Sequence, residues 1–342
     1  PDMATAENAK LQYEAGQNAV AMSALTNSGD ETTFTSAATL WSGRSGYAPV
    51  VRPNGVLTGF AVTTHATDNT VTIAAGTLNL AGVVTSVSAG SLAATRPATA
   101  VSKVVSLTVN SSGALAAVAG TDGSTTAFSE TRAAAGGPPL IPVGSIEIGQ
   151  VRYTSNTAGV VAAAEIYQVV GLHRERADFP LYDVNYGEGS VTFLDALPEI
   201  HTGPVPKAVY ASYASPIFAD IALASDFVPP ETSHSVSSTQ VYGTTLGATA
   251  STLGQGSFTA FLSNGVSDAL VTLKNETLWF KFFPDRYASP YILCQGKLGI
   301  ARTFPAADSL QAACTISASA AATEGARWAS TPRRWRPTAS RC

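Results

Sequence analysis

Leu278-Trp279-Phe280-Lys281-Phe282 is the most strongly patterned stretch of this 342-residue chain. Side chains alternate across a β-strand, so Leu278, Phe280 and Phe282 share one face and Trp279 and Lys281 the other. Pro284-Asp285 closes the strand. The same period continues downstream: Ile292, Cys294, Leu298 and Ile300 align against Gln295 and Lys297, and Cys314 and Ile316 against Thr315 and Ser317. Just upstream, Ser267 to Lys274 reads as a short helix, capped by Ser267 or Asp268.

Further towards the N-terminus, from about Val50, the chain reads as short runs of Val, Ile, Thr and aromatics. Val71-Thr72-Ile73, Val101 to Val109, Ile146-Glu147-Ile148 and Val151-Arg152-Tyr153 are examples. Asn54-Gly55, Ser112-Gly113, Asp122-Gly123 and Gly136-Gly137-Pro138-Pro139 supply the turns between them. Ala114 to Val118 fits a strand better than a helical turn because strand spacing flanks it. Short, evenly spaced strands with no interleaved helical period predict an all-β fold of the sandwich or barrel type. Residues 4–25 favour helix locally and read as an arm with one short helix. Aromatic and Pro content rises beyond residues 165–180, which places a boundary there. The expected organisation is an arm over 1–50, a β-rich accessory or decoration domain over 51–165, a second β domain over 166–324, and a basic tail over 325–342.

Only 13% of residues are charged, against about 25% in ordinary soluble domains. The net charge of −4 is an average over two unlike parts. The tail contributes five Arg and no acid, so the remainder has 15 basic against 24 acidic residues, a net of −9. Three readings of the tail stand open, a nucleic-acid-binding basic arm, a partner-docking peptide and sequence foreign to the fold, with the last favoured; Pro1-Asp2 ahead of Met3 reads as a remnant. No run approaches the ~18 apolar residues of a membrane-spanning helix, and no basic-then-apolar secretory leader is visible. Cys294, Cys314 and Cys342 lack metal or haem spacing. They pair only if their strands are neighbours.

Catalytic patterns are lacking. His65, His173, His201 and His234 are scattered without a partner His, Cys or carboxylate at ligand spacing, and read as surface or interface residues. No H-E-x-x-H, Walker A, G-x-G-x-x-G or G-x-S-x-G motif occurs. His173-Arg174-Glu175-Arg176 reads as a solvated run between domains. Asp183 and Glu188 are the nearest approach to a carboxylate pair and carry no pattern. The expectation is a non-enzyme with no metal and no cofactor.

Residues 205–320 resemble the major tail tube proteins of long, non-contractile-tailed bacteriophages. The resemblance rests on the order Pro216-Ile217-Phe218-Ala219-Asp220-Ile221, a Pro-rich polar stretch, Gly256-Ser257-Phe258-Thr259-Ala260-Phe261-Leu262, the short helix, the aromatic strand, Gly296-Lys297-Leu298 and Arg302-Thr303-Phe304-Pro305. Residues 100–165 resemble small β modules of phage virion proteins. The resemblance implies a β-sandwich or split barrel with a flanking helix, with Leu278, Phe280 and Phe282 in its core strand. It also implies hexameric rings that stack into a tube through which DNA passes without specific binding. Tape measure and tail terminator proteins would be its partners, and the virion tail its location after assembly in the host bacterial cytoplasm. The stretch 229–242, with Pro229, Pro230, Ser233 and His234, is the expected inter-ring loop, and 183–205 a second. A receptor-binding or adhesive β protein with carbohydrate affinity is the alternative, which Tyr182, Tyr186 and Trp41 also suit.

Overall fold

The strand read from Leu278 to Phe282 runs from Thr277 to Phe283, between the antiparallel neighbours Lys10–Ala24 and Tyr291–Thr303. The structure, a computed structural model, describes residues 8–38, 40–178, 181–203, 205–242 and 244–325. Pro1-Asp2, Cys342 and the basic tail beyond Gly325 lie outside these. The fold is all-β: antiparallel strands throughout, with an α-helical turn at Ala269–Thr272 and a 3-10 turn at Ala163–Glu165.

The chain divides into two compact units. One takes residues up to 18, 42–48 and everything from 215 onward. Its sheet runs in the order Ala224–Val228, Gly256–Phe261, Gln311–Ala318, Tyr291–Thr303, Thr277–Phe283 and the first half of Lys10–Ala24. The register sets Leu298 opposite Ile316 and Ile300 opposite Cys314. The expected inward faces are therefore inward together: Leu278, Phe280, Cys294, Leu298, Cys314 and Ile316 are buried in one core, which Leu270 and Leu273 of the helical turn also join. Phe282 is half-buried and stacks on Phe227, ring centroids 4.7 Å apart. Trp279, on the opposite face, is buried too.

The segment expected to be a helical arm is instead the fifteen-residue strand Lys10–Ala24. Its Ala, Glu and Lys favour helix weakly, a few tenths of a kcal/mol per residue. Leu11 and Tyr13, two apart, enter the core opposite Phe282 and Phe280. Burying two large side chains there is worth about 1.5–3 kcal/mol each and overrides that propensity.

The second unit comprises residues 19–41 and 49–214, built around two apolar clusters. Around the first, Lys103–Asn110 pairs with Leu115–Ala119 and with Ser145–Tyr153. Val56, Phe60, Ile73, Leu78, Leu107 and Ile148 fill it. Around the second, Tyr182–Asn185, Ser190–Phe193, Thr33–Thr35 and Thr26–Asn27 form a sheet over Phe34, Val191 and Phe193, and Trp41 stacks on Tyr213 at 4.7 Å. Residues 166–214 thus belong with this unit, and the division falls after 214 rather than near 165. Strand pairing is the reason. Ile166–Tyr167 completes the sheet of Ser145–Tyr153, Ser190–Phe193 pairs with Thr33–Thr35, and Val209 to Ser212 pair with Val50–Pro53.

Candidate functional site

The expected inter-ring loop is a two-stranded arm. Pro229 is half-buried and Pro230 buried; Pro lacks an N–H and ends the strand Ala224–Val228. The Pro230 carbonyl accepts from the Ala322 N–H at 2.7 Å. Immediately beyond, Thr232–Val241 turns back into Thr244–Leu253, with ten ladder pairs from Thr232 opposite Leu253 to Val241 opposite Thr244. The stretch, expected to be a long loop or extended arm, is polar, and its strand character rests on β-branched Thr in both strands. Ser233 and His234 are exposed near its base, and the Ser233 hydroxyl donates to the Thr252 carbonyl at 3.3 Å.

This hairpin pairs with no third strand among the described residues. Residues 232–253 hold no Asp, Glu, Lys or Arg, and Val236 is 79% exposed. An open strand edge is a template for another chain, and edges meant to stay free carry charges, Pro or bulges. This one has none of these. A hairpin with only two strands is also marginal by itself in water.

The second unit holds a site that the sequence reading missed. Every residue of Ser145–Tyr153 is buried. Ile146, Ile148 and Val151 face the apolar cluster, while Glu147, Gln150 and Arg152 lie under the turn-rich segment 121–144. Arg152 makes a two-pronged pair with Glu130, at 2.6 and 2.8 Å. The Arg132 guanidinium donates to Glu147 and to the Pro139 carbonyl, and Ser106 and Gln150 also donate to Glu147. Beside them Lys207 Nζ lies 3.0 Å from Glu175 Oε1, with both side chains buried. Glu175 Oε2 accepts from the Glu147 N–H at 2.7 Å. A cavity of about 320 Å³ opens over these groups, with Pro138, Leu172, Leu197 and Ile200 as its apolar wall.

His173 is 4% exposed, and its Nδ1 accepts from the Val169 N–H at 3.3 Å. Burial, then the Arg152 charge, push its pKa down, which favours the neutral ring. The run 173–176 is therefore no solvated linker: His173 and Glu175 are buried, because Glu175 returns to the sheet and bonds the Glu147 backbone. His201 is buried as well, its Nε2 3.0 Å from the Ser145 carbonyl. Those two histidines correct the surface expectation; His65 and His234 do not contradict it.

Electrostatics set the limits of this site. Burial pushes the Glu147 carboxyl above the ordinary range against the pull of Arg132, whereas the Arg152 hydrogen bonds hold Glu130 below it. Glu147 and Glu175 are each engaged by a cation, so neither carboxylate is free to act as base or nucleophile. The arrangement works as a lock that fastens the 121–144 segment by charge. Asp183 and Glu188 are exposed on another hairpin, where Glu188 accepts from Asn185 at 3.0 Å. Cys294 and Cys314 are free and buried, their thiols pushed up to about 12 by burial. Among the described residues no group of His, Cys, Asp or Glu is spaced to hold a metal. Neither the protein-family models nor the curated proteins compared with this chain match it.

Proposed function

We propose that this chain is the self-assembling structural subunit of a phage-type tail tube, forming hexameric rings that stack and conduct DNA without specific binding. The observation that carries the reading is the uncharged hairpin Thr232–Leu253, which pairs with no third strand among the described residues and exposes Val236, a template for strands of another chain. A second copy is the partner every subunit has. An all-β body with a flanking helical turn supports the same reading, as does the acidic balance outside the tail, which avoids phosphate attraction in a lumen. In the virion tail it would meet tape measure and terminator proteins after assembly in the bacterial cytoplasm.

Negative-stain microscopy of the purified protein tests this. Rings or open-ended tubes are expected. Placing lysines on both faces of the arm, with Ser235→Lys and Val236→Lys together, should leave circular dichroism unchanged and stability within about 0.5 kcal/mol, as exposed substitutions usually do. It should also abolish tubes. Monomers or glycan-binding trimers from the unaltered chain, or normal tubes from the lysine variant, overturn the proposal.

A further inference from the structure

The cavity in the second unit is lined by more charge than the lock uses. Arg132 is taken by Glu147, Lys207 by Glu175, Glu130 by Arg152 and Arg176 by Asp178. Two lining charges are left over. Arg174 has no carboxylate at ion-pair distance among the described residues. Its terminal nitrogen donates to the Gly59 carbonyl, and its Nε is buried without an acceptor. Asp178, whose charge also acts on Arg174, is held by both prongs of Arg176. Asp195 lines the same cavity, is exposed, and has neither a cation nor a hydrogen-bond donor among the described residues. The space of about 320 Å³ thus carries one unmatched positive and one unmatched negative group beside the apolar wall of Leu172, Leu197 and Ile200. No aromatic ring lines it among the described residues.

We propose that this cavity binds a small zwitterion with an aliphatic body, an α-amino acid of the leucine type. Its carboxylate would meet Arg174, its ammonium Asp195, and its side chain the wall of Leu172, Leu197 and Ile200. What is unpaired sets the match. A buried donor without an acceptor is costly, and a carboxylate meets a guanidinium through paired charge-assisted bonds that a hydroxyl cannot make. A simple anion would answer Arg174 but bring a like charge to Asp195, and a simple cation would do the reverse. A sugar brings charge to neither and finds no ring for its face to stack on. The volume lies at the lower end of the ~300–1,000 Å³ of small-molecule pockets, which fits one amino acid rather than a peptide. The proposal does not depend on the tube reading.

Isothermal titration calorimetry of the full chain with L-leucine tests it, beside three analogues. Isocaproate lacks the ammonium group, leucinol lacks the carboxylate, and glycine keeps both charges without the aliphatic body. Leucine should bind, and each analogue at least tenfold more weakly. Isocaproate also measures any attraction of carboxylates to the C-terminal arginines, which leucine must exceed. Asp195→Asn, at an exposed position, should weaken leucine at least tenfold and isocaproate not at all. Arg174→Gln should weaken leucine equally and leave leucinol unchanged, with circular dichroism checking that both variants are folded. No binding of leucine at millimolar concentration overturns the proposal. So does an analogue or glucose that binds as tightly as leucine, or undiminished leucine binding by folded Asp195→Asn.

Discussion

Glu147 shows how a buried charge ties one residue to the pH behaviour of its unit. Its carboxyl is raised by burial, so the folded chain holds that proton more tightly than the unfolded one. The associated stability is present below the ordinary glutamate value and is lost as pH rises through the raised one. Glu130 runs the other way: held low by Arg152, it contributes above the ordinary value and fades as pH falls. Urea unfolding from pH 4.5 to 7 should show the unaltered chain losing stability relative to Glu147→Gln as pH rises; parallel curves would remove Glu147 as the cause. At neutral pH, Arg132→Met leaves Glu147 buried without its cation, which costs about 3 kcal/mol, while Arg132→Met/Glu147→Leu recovers most of the loss. None of this was legible beforehand. Arg132 and Glu147 are 15 residues apart and Glu130 and Arg152 are 22 apart, and only the fold of 121–144 over the sheet brings the partners together. Cys294 and Cys314 were legible: their alternation placed them inward, and with thiols near 12 these two should resist iodoacetamide at pH 8 until the protein is unfolded, read by mass spectrometry of their own peptides.

At the scale of the element, alternation was a good guide where one face is apolar and the other polar, as in Tyr291–Thr303 and Gln311–Ala318. It failed in two opposite cases. Lys10–Ala24 buries few large side chains, so its helix-favouring Ala and Glu dominated the reading. None of the described side chains of the arm at 232–253 is buried, so no apolar face is there to read, and its strand character rests on Thr and on the ladder itself. Of the glycines read as turns, Gly113 and Gly136 take positive φ, 80° and 73°, whereas Gly55 begins the strand Gly55–Gly59; what a positive-φ glycine contributes also depends on space. Gly59 and Gly144 both have positive φ, 74° and 78°. A Cβ on Gly59 would lie 2.1 Å from the Ala75 carbonyl oxygen, whereas one on Gly144 meets nothing within 4 Å. Gly144→Ala should therefore cost only the left-handed penalty of about 1 kcal/mol, and Gly59→Ala at least twice that, read as the difference in urea midpoint.

For the whole molecule, the informative property is that neither unit is continuous in sequence. A boundary drawn from composition must be a single cut, and no single cut separates residues up to 18, 42–48 and 215 onward from the rest. The rise in aromatic and Pro content beyond 165–180 is real, but strand pairing across the sequence decides membership. A fragment beginning at residue 166 should therefore fail twice. Its Ile166–Tyr167 strand loses Gln150 and Val151, and its Thr277–Phe283 strand loses Lys10–Tyr13. A fragment beginning at 215 fails only once, because it lacks just the short segments that supply Leu11, Tyr13 and the Glu14 carboxylate, which accepts from the Trp279 N–H at 3.2 Å. Its exposed strand edge invites a substitute strand. A synthetic peptide of residues 8–24 should convert this second fragment from a collapsed state with narrow amide dispersion to one with a resolved β-type spectrum, and in the first should leave the resonances of residues 166–214 undispersed, because it restores only the Thr277–Phe283 pairing. Folding of the 166–342 fragment on its own would move the division back towards 165, and failure of the peptide to rescue 215–342 would show that Lys10–Ala24 is dispensable to the sheet.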